Sequence, residues 1–237
     1  MQNRGLAAST IKTDLGALRF FHDKIPNAKH ILPDNDKLNL EKRKFGGVDR
    51  CWSEREYELM LAECKKAGRE DYVAIITIAR HVGLRVHEIF RLDTATVRLG
   101  LKTGILVVRG KGGLIRQVPI NETTKLELEK SLKLVSSGQK LFVDPGDKTH
   151  LAIKRLQNFI HYHKKFVQDE GSTKPMTMHG LRHSYASENY QKLIASGKSE
   201  YEARKQVSEW LGHHRDEITR IYIYSAEVDS KDGEDDV

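Results

Sequence analysis

In the stretch MTMHGLRHSYAS, His179 and Arg182 stand three residues apart. On a helix that spacing is about 60° of rotation, so both side chains can point at one ligand. His183, four residues after His179, is also within reach of it. A histidine pair at that spacing suggests zinc. Yet HGLRH lacks the glutamate next to the first histidine that the protease motif requires, and a guanidinium beside a cationic metal is unfavourable. An anion suits the arginine better, because its planar fork matches phosphate oxygens and stays charged at any physiological pH. A nearby histidine can accept or donate a proton at neutral pH.

A second arginine has a similar bias. In GLRVHEIFRL, Arg85 and Glu88 are one turn apart, and a helix-surface ion pair is the plain reading. Arg85, however, follows Gly83 at the end of a nearly all-apolar helix, where an arginine is costly unless it meets an anion or an acid. Further on, SEWLGHHRDEITRIYIYS places His213 at a helix end and Tyr222 nine residues later. Taken singly, such histidines and tyrosines are more often core or surface. Periodicity puts Ile218, Ile221 and Tyr222 on one helical face, with Tyr224 about 160° away, so spacing alone reads Tyr222 as a packing residue.

These residues need a scaffold, and the pattern around them is mainly helical. LAASTIKTDLGALRFFHDKI spaces Ile11, Leu15, Leu18 and Phe21 as one amphipathic helix after a Ser9 or Thr10 cap. The next 25 residues hold Pro26, Pro33, the basic cluster Lys42, Arg43 and Lys44, and the Gly46-Gly47 pair, and read as a linker with a domain boundary near residue 48. Ser53 with Glu56 is a capping box that opens a helix to about Lys66, and DYVAIITIARHV is apolar nearly all round, as for a helix at the centre of a helical domain. GILVVRGKGGLIRQVPI then changes period: two β-branched runs flank Gly110, Lys111, Gly112 and Gly113, a hairpin whose tip presents a lysine. Asn121 caps another helix, a long one runs from Thr149 to Gly171, and Ser199 with Glu202 is a second capping box. The fold class is therefore mainly α with one small β-hairpin (α+β), without internal repeats.

The chain of 237 residues can bury a substantial core. Two cysteines, Cys51 and Cys64, are too few for a disulfide framework and read as free thiols of a reducing cytoplasm; no signal peptide or membrane span is evident. The net charge is +7, but the last eleven residues, EVDSKDGEDDV, carry six acids and one lysine, so the other 226 carry +12. Such a body favours a polyanion, and nucleic acid is the commonest one inside cells. The acidic tail, 227–237, is too polar to pack.

Arg85, then Lys111, then His179 with Arg182, then Leu211-Gly212-His213, then Tyr222, in that order, resembles the signature of the tyrosine recombinases, or phage-type integrases. The resemblance runs from about residue 50 to 225. It implies a mixed, mainly α catalytic domain (49–226) in which Arg85, Lys111, His179, Arg182, His213 and Tyr222 surround one DNA phosphate. Tyr222 would be the nucleophile of a 3′-phosphotyrosyl intermediate, formed without metal or other cofactor. It further implies double-stranded DNA as partner, with Lys42, Arg43 and Lys44 contacting it, and a homotetramer on paired sites, in the cytoplasm, for a bacterial mobile element or phage. Two departures stand out. Thirty residues separate Arg182 from His213, more than in compact Xer-like members, and segment 1–48 resembles only the last helix of the family's core-binding domain. A chain holding only that part is expected to bind DNA weakly and with steep salt dependence. The alternatives are a type IB topoisomerase, of related constellation, and a DNA-binding remnant without full recombination activity.

Overall fold

The computed structural model describes residues 5–38, 40, 49–110 and 113–212. The chain divides into two compact units, Met1–Phe45 and Gly46–Val237.

In the first unit, helix α1 spans Ala8–His22 and is followed by a 3-10 turn at Asn35–Lys37. The expected Ser9 or Thr10 cap is corrected: the N-cap is Ala7, and both hydroxyl residues lie inside the first turn. Ser9 caps nothing there; its carbonyl instead accepts the Thr13 hydroxyl. Of the predicted apolar stripe Ile11 is buried, whereas Leu18 and Phe21 are 50% and 68% exposed. Arg19 folds the following segment back by donating to the Pro33 carbonyl and to Asn35 Oδ1.

The second unit is built around α3, Glu70–Val82, whose ten buried residues include Ile75, Ile76 and Ile78. Each such side chain contributes about 1.5–3 kcal/mol by leaving water. Helix α2, Glu54–Lys66, opens on the predicted capping box: Ser53 Oγ accepts from the Glu56 amide and the Glu56 carboxylate accepts from the Ser53 amide. It packs against α3, as do α6 (Glu122–Lys133, capped by Asn121) and α8 (Met178–Ala195). A buried Arg80 ties α3 to α2 through Glu54 and to α8 through Glu188.

Between α3 and the hairpin lie a four-residue helix α4, Val86–Ile89, and α5, Thr94–Thr103. The apolar spacing does not announce α5, because its buried positions are Thr94, Val97 and Gly100; its start is set by Asp93, which accepts from the Thr96 amide. The hairpin is present as β1, Ile105–Arg109, paired antiparallel with β2, Ile115–Pro119, in the register Leu106 to Val118 and Val108 to Arg116. Alternation sends Leu106, Val108, Arg116 and Val118 inward.

Helix α7, Thr149–Val167, ends earlier than Gly171. Gln168 turns extended (φ −62°, ψ 140°), and Gly171, at φ +72°, falls in the loop beyond. The segment between Arg182 and His213 forms most of a helix pair, α8 and α9 (Glu200–Leu211, opened by the Ser199–Glu202 capping box), with its own small core of Tyr185, Ala186, Tyr190, Ala203, Val207 and Leu211. No helix among the described residues is long and apolar enough to cross a membrane, and neither Cys51 nor Cys64 is in a disulfide.

Candidate active site

Helix α8 begins at the Thr177 cap, whose side chain accepts from the Gly180 amide, so His179 and Arg182 fall in its first two turns. Arg85 is the residue immediately before α4. Together with Arg50, His87, Gln157, Asn158, His161, Met176 and Thr177 these three residues line one cavity of about 650 Å³. The structure thus brings Arg85, His179 and Arg182 to a common space. Lys111, His213, Tyr222, Tyr224 and the linker cluster Lys42, Arg43 and Lys44 lie outside the described residues, as does the tail 227–237.

Arg182 is fully buried, and its guanidinium donates through Nη1 to the Gly83 carbonyl and through Nη2 to the Leu211 carbonyl. The first belongs to the cap residue that follows α3 and the second to the last residue of α9, at helix ends where the dipoles are negative. The two helices end the same way: Gly83 and Gly212 are left-handed caps at φ +66° and +63°. At Gly83 there is a second requirement, since a Cβ would stand 2.4 Å from the Tyr185 ring.

Arg85 is aimed by Glu88. That carboxylate is buried and accepts from the Arg85 amide at 2.8 Å and from its Nη1 at 3.1 Å. It also accepts a two-pronged contact from Arg116 of β2, Nη1 and Nη2 both at 2.7 Å. Burial by itself would raise the Glu88 pKa; the Arg116 fork, the Arg85 amide and the Arg182 charge more than offset it and hold it at about 2. The Glu88–Arg116 pair is packed against two glycines. A Cβ on Gly110 would stand 3.2 Å from Glu88 Oε1, and one on Gly212 would stand 2.9 Å from Arg116 Cδ.

His179 and His183 are in edge-to-face contact, ring centroids 5.0 Å apart. Burial, then the charges of Arg182, Arg50 and Arg85, lower the His179 pKa to about 4. Burial, then His179 and Arg50, lower that of His183 to about 3. Both rings are therefore neutral at physiological pH, and His179 adds no further positive charge to the cavity. Among the described residues no group of three or more histidine, cysteine, aspartate or glutamate side chains could hold a metal ion.

Spacing did not single out Arg116, Arg50 or His87. A signal for Arg116 does exist: it has the same parity as Val118 and sits opposite Val108, so a strand read by strict alternation has a charge pointing inward. For Arg50 there is none, since it lies in an irregular segment.

The profile of the phage integrase family matches residues 51–228. Tyrosine recombinase XerD of Oceanobacillus iheyensis is 26% identical over 244 residues, an alignment covering 98% of this chain and 76% of the relative. Tyrosine recombinase XerC of Natranaerobius thermophilus is 25% identical, covering 94% of this chain and 74% of the relative. Among solved structures, the Tn1549 transposon integrase in complex with circular intermediate DNA superposes with a TM-score of 0.63 at 18% identity, over 98% of this chain and 82% of that one.

Proposed function

Because the chain belongs to the phage integrase family, we propose that it is a site-specific DNA recombinase that breaks and rejoins double-stranded DNA through a 3′-phosphotyrosyl intermediate. The observation that carries the reading is the shared cavity: two arginines from distant parts of the chain, Arg85 and Arg182, beside a neutral histidine. A phosphodiester resists attack because it is anionic. Two preorganised guanidiniums at its non-bridging oxygens stabilise the charge that builds in the pentacoordinate transition state.

In this reading Tyr222 Oη attacks the phosphorus and the bond to the 5′ oxygen breaks. The phenol proton passes to His179 and the leaving oxygen takes a proton from Lys111, while His213 donates to a non-bridging oxygen. A bound phosphate also changes His179 itself. Its anionic charge opposes the arginines that depress the imidazole, so the ring becomes a better base when substrate arrives. The phosphotyrosyl bond conserves the energy of the phosphodiester, and a free 5′ hydroxyl attacks it in reverse to reseal the strand. We assign the assembly as a homotetramer on paired sites, the location as the cytoplasm, and Lys42, Arg43 and Lys44 as DNA contacts. The biological setting we favour is a bacterial mobile element or phage.

The test is a nicked duplex, carrying the site that the wild-type chain selects from a randomised pool, from which the cleaved end diffuses away. A covalent protein–DNA adduct is expected, lost in Tyr222→Phe and kept in Tyr224→Phe. Wild-type protein that binds the duplex without forming an adduct would make the chain a DNA-binding remnant. Relaxation of supercoils without paired sites would make it a topoisomerase.

A further inference from the structure

Arg50 stands on the cavity wall with Arg85, His179 and Arg182. It is half-buried and, among the described residues, has no carboxylate within ion-pair distance. Its neighbour Asp49 is engaged elsewhere, accepting from the Cys51 amide at 2.8 Å and pairing with Lys174. A partly desolvated guanidinium without an acid is costly unless an anion visits it.

The backbone carrying Arg50 is fixed with some care. Trp52, 3% exposed, donates its amide to Ser184 Oγ at 3.0 Å, and the same hydroxyl donates back to the Trp52 carbonyl at 3.3 Å. The Arg50 carbonyl and the Trp52 indole lie against Gly180, where a Cβ would come within 2.4 Å and 2.8 Å of them. Residues 49–52 therefore form a strap across the first turns of α8, tied at Lys174, Gly180 and Ser184, and Arg50 is held beside His179. Its charge is close enough to help depress both His179 and His183. The cavity is also larger than one phosphate needs: about 650 Å³, against a group the size of a few waters of roughly 30 Å³ each.

We propose that Arg50 is a DNA-binding residue of this cavity that takes a second backbone phosphate, next to the one Arg85 and Arg182 hold. The proposal rests on the recombinase reading and adds a contact to it. Arg50 fixes the register of the strand rather than stabilising the reacting phosphorus, so its loss weakens binding more than it slows cleavage of bound DNA.

The probe is the selected nicked duplex with single methylphosphonates at the scissile phosphate and at the phosphates on either side. For Arg50→Gln we expect about ten-fold weaker binding and a salt slope reduced by about one, with a smaller change in the cleavage rate at saturating protein. One flanking methylphosphonate should weaken wild-type binding and leave Arg50→Gln indifferent. Arg50→Lys should restore the salt slope, and equal thermal midpoints of the three proteins would exclude misfolding. Wild-type affinity in Arg50→Gln, or an effect that maps to the scissile phosphate or to none, overturns the assignment while leaving the recombinase reading intact. A wild-type chain that neither enriches a duplex nor forms an adduct overturns both.

Discussion

Arg116 closes on Glu88 through two parallel hydrogen bonds of 2.7 Å, and the same carboxylate holds the amide and the guanidinium of Arg85. A strand of the hairpin thereby determines where a cavity arginine points. Both members of the central pair are buried, so neutralising one leaves the other as an uncompensated charge. Glu88→Gln is expected to cost about 3–5 kcal/mol of folding stability. In urea titrations the double variant Glu88→Gln/Arg116→Gln should lose less than the sum of the two single variants. Additive losses would show that the pair is not coupled.

Acid should destabilise this fold in two stages. The folded-state pKa values of His179 and His183, about 4 and about 3, lie below the ordinary histidine value of 6.5. Below pH 6.5 the unfolded chain takes up protons that the folded chain refuses, so stability is full above that pH and falls toward pH 4. Glu88, at about 2 against an ordinary 4.5, then contributes stability that is lost as pH falls from 4.5 toward 2. Urea midpoints measured from pH 8 to pH 3 should be level above pH 6.5 and fall below it, and His183→Asn should make the fall between pH 6.5 and pH 3 shallower. A profile unchanged between pH 6.5 and 5 would mean that the histidines are not buried as described.

Gly83→Ala separates two penalties. A side chain at φ +66° costs about 1–2 kcal/mol on backbone grounds alone, and its Cβ would overlap the Tyr185 ring at 2.4 Å. Introducing Tyr185→Ser into the Gly83→Ala variant removes the overlap and leaves the backbone cost. Thermal unfolding should therefore show a smaller loss from Gly83→Ala in the Tyr185→Ser background than in the wild type. Equal losses in both backgrounds would assign the whole effect to the left-handed conformation.

The strongly patterned parts were legible from sequence: both capping boxes, the buried centre helix, the hairpin, and the His179–Arg182 pair that shares the cavity with Arg85. Each is local, so the spacing that predicts it is also the physics that forms it. What was not legible depends on contacts far apart in the chain. Glu88 reads as a surface partner of Arg85 until the hairpin folds Arg116 onto it, 28 residues later. The Ser9 or Thr10 cap failed because α1 is capped two or three residues further back, at Ala7, without a side-chain hydrogen bond, and the end of α7 was misplaced because a glycine signal at 171 was stronger than the extended Gln168 that stops it. Arg50 has no periodicity to betray it; only the absence of a Cβ at Gly180, 130 residues away, lets its strap approach α8.

Arg182 links the ends of α3 and α9, donating to the carbonyl of the Gly83 cap and to that of Leu211. It is consequently a poor reporter of chemistry. A protein with Arg182 replaced by a neutral residue would lose the joint between those helices before it met any DNA, and its inactivity would record a broken scaffold as much as a missing charge. A clean measure of what the positive charge does for the reaction has to come from the other side, by neutralising the phosphate oxygens on the DNA while the protein stays whole.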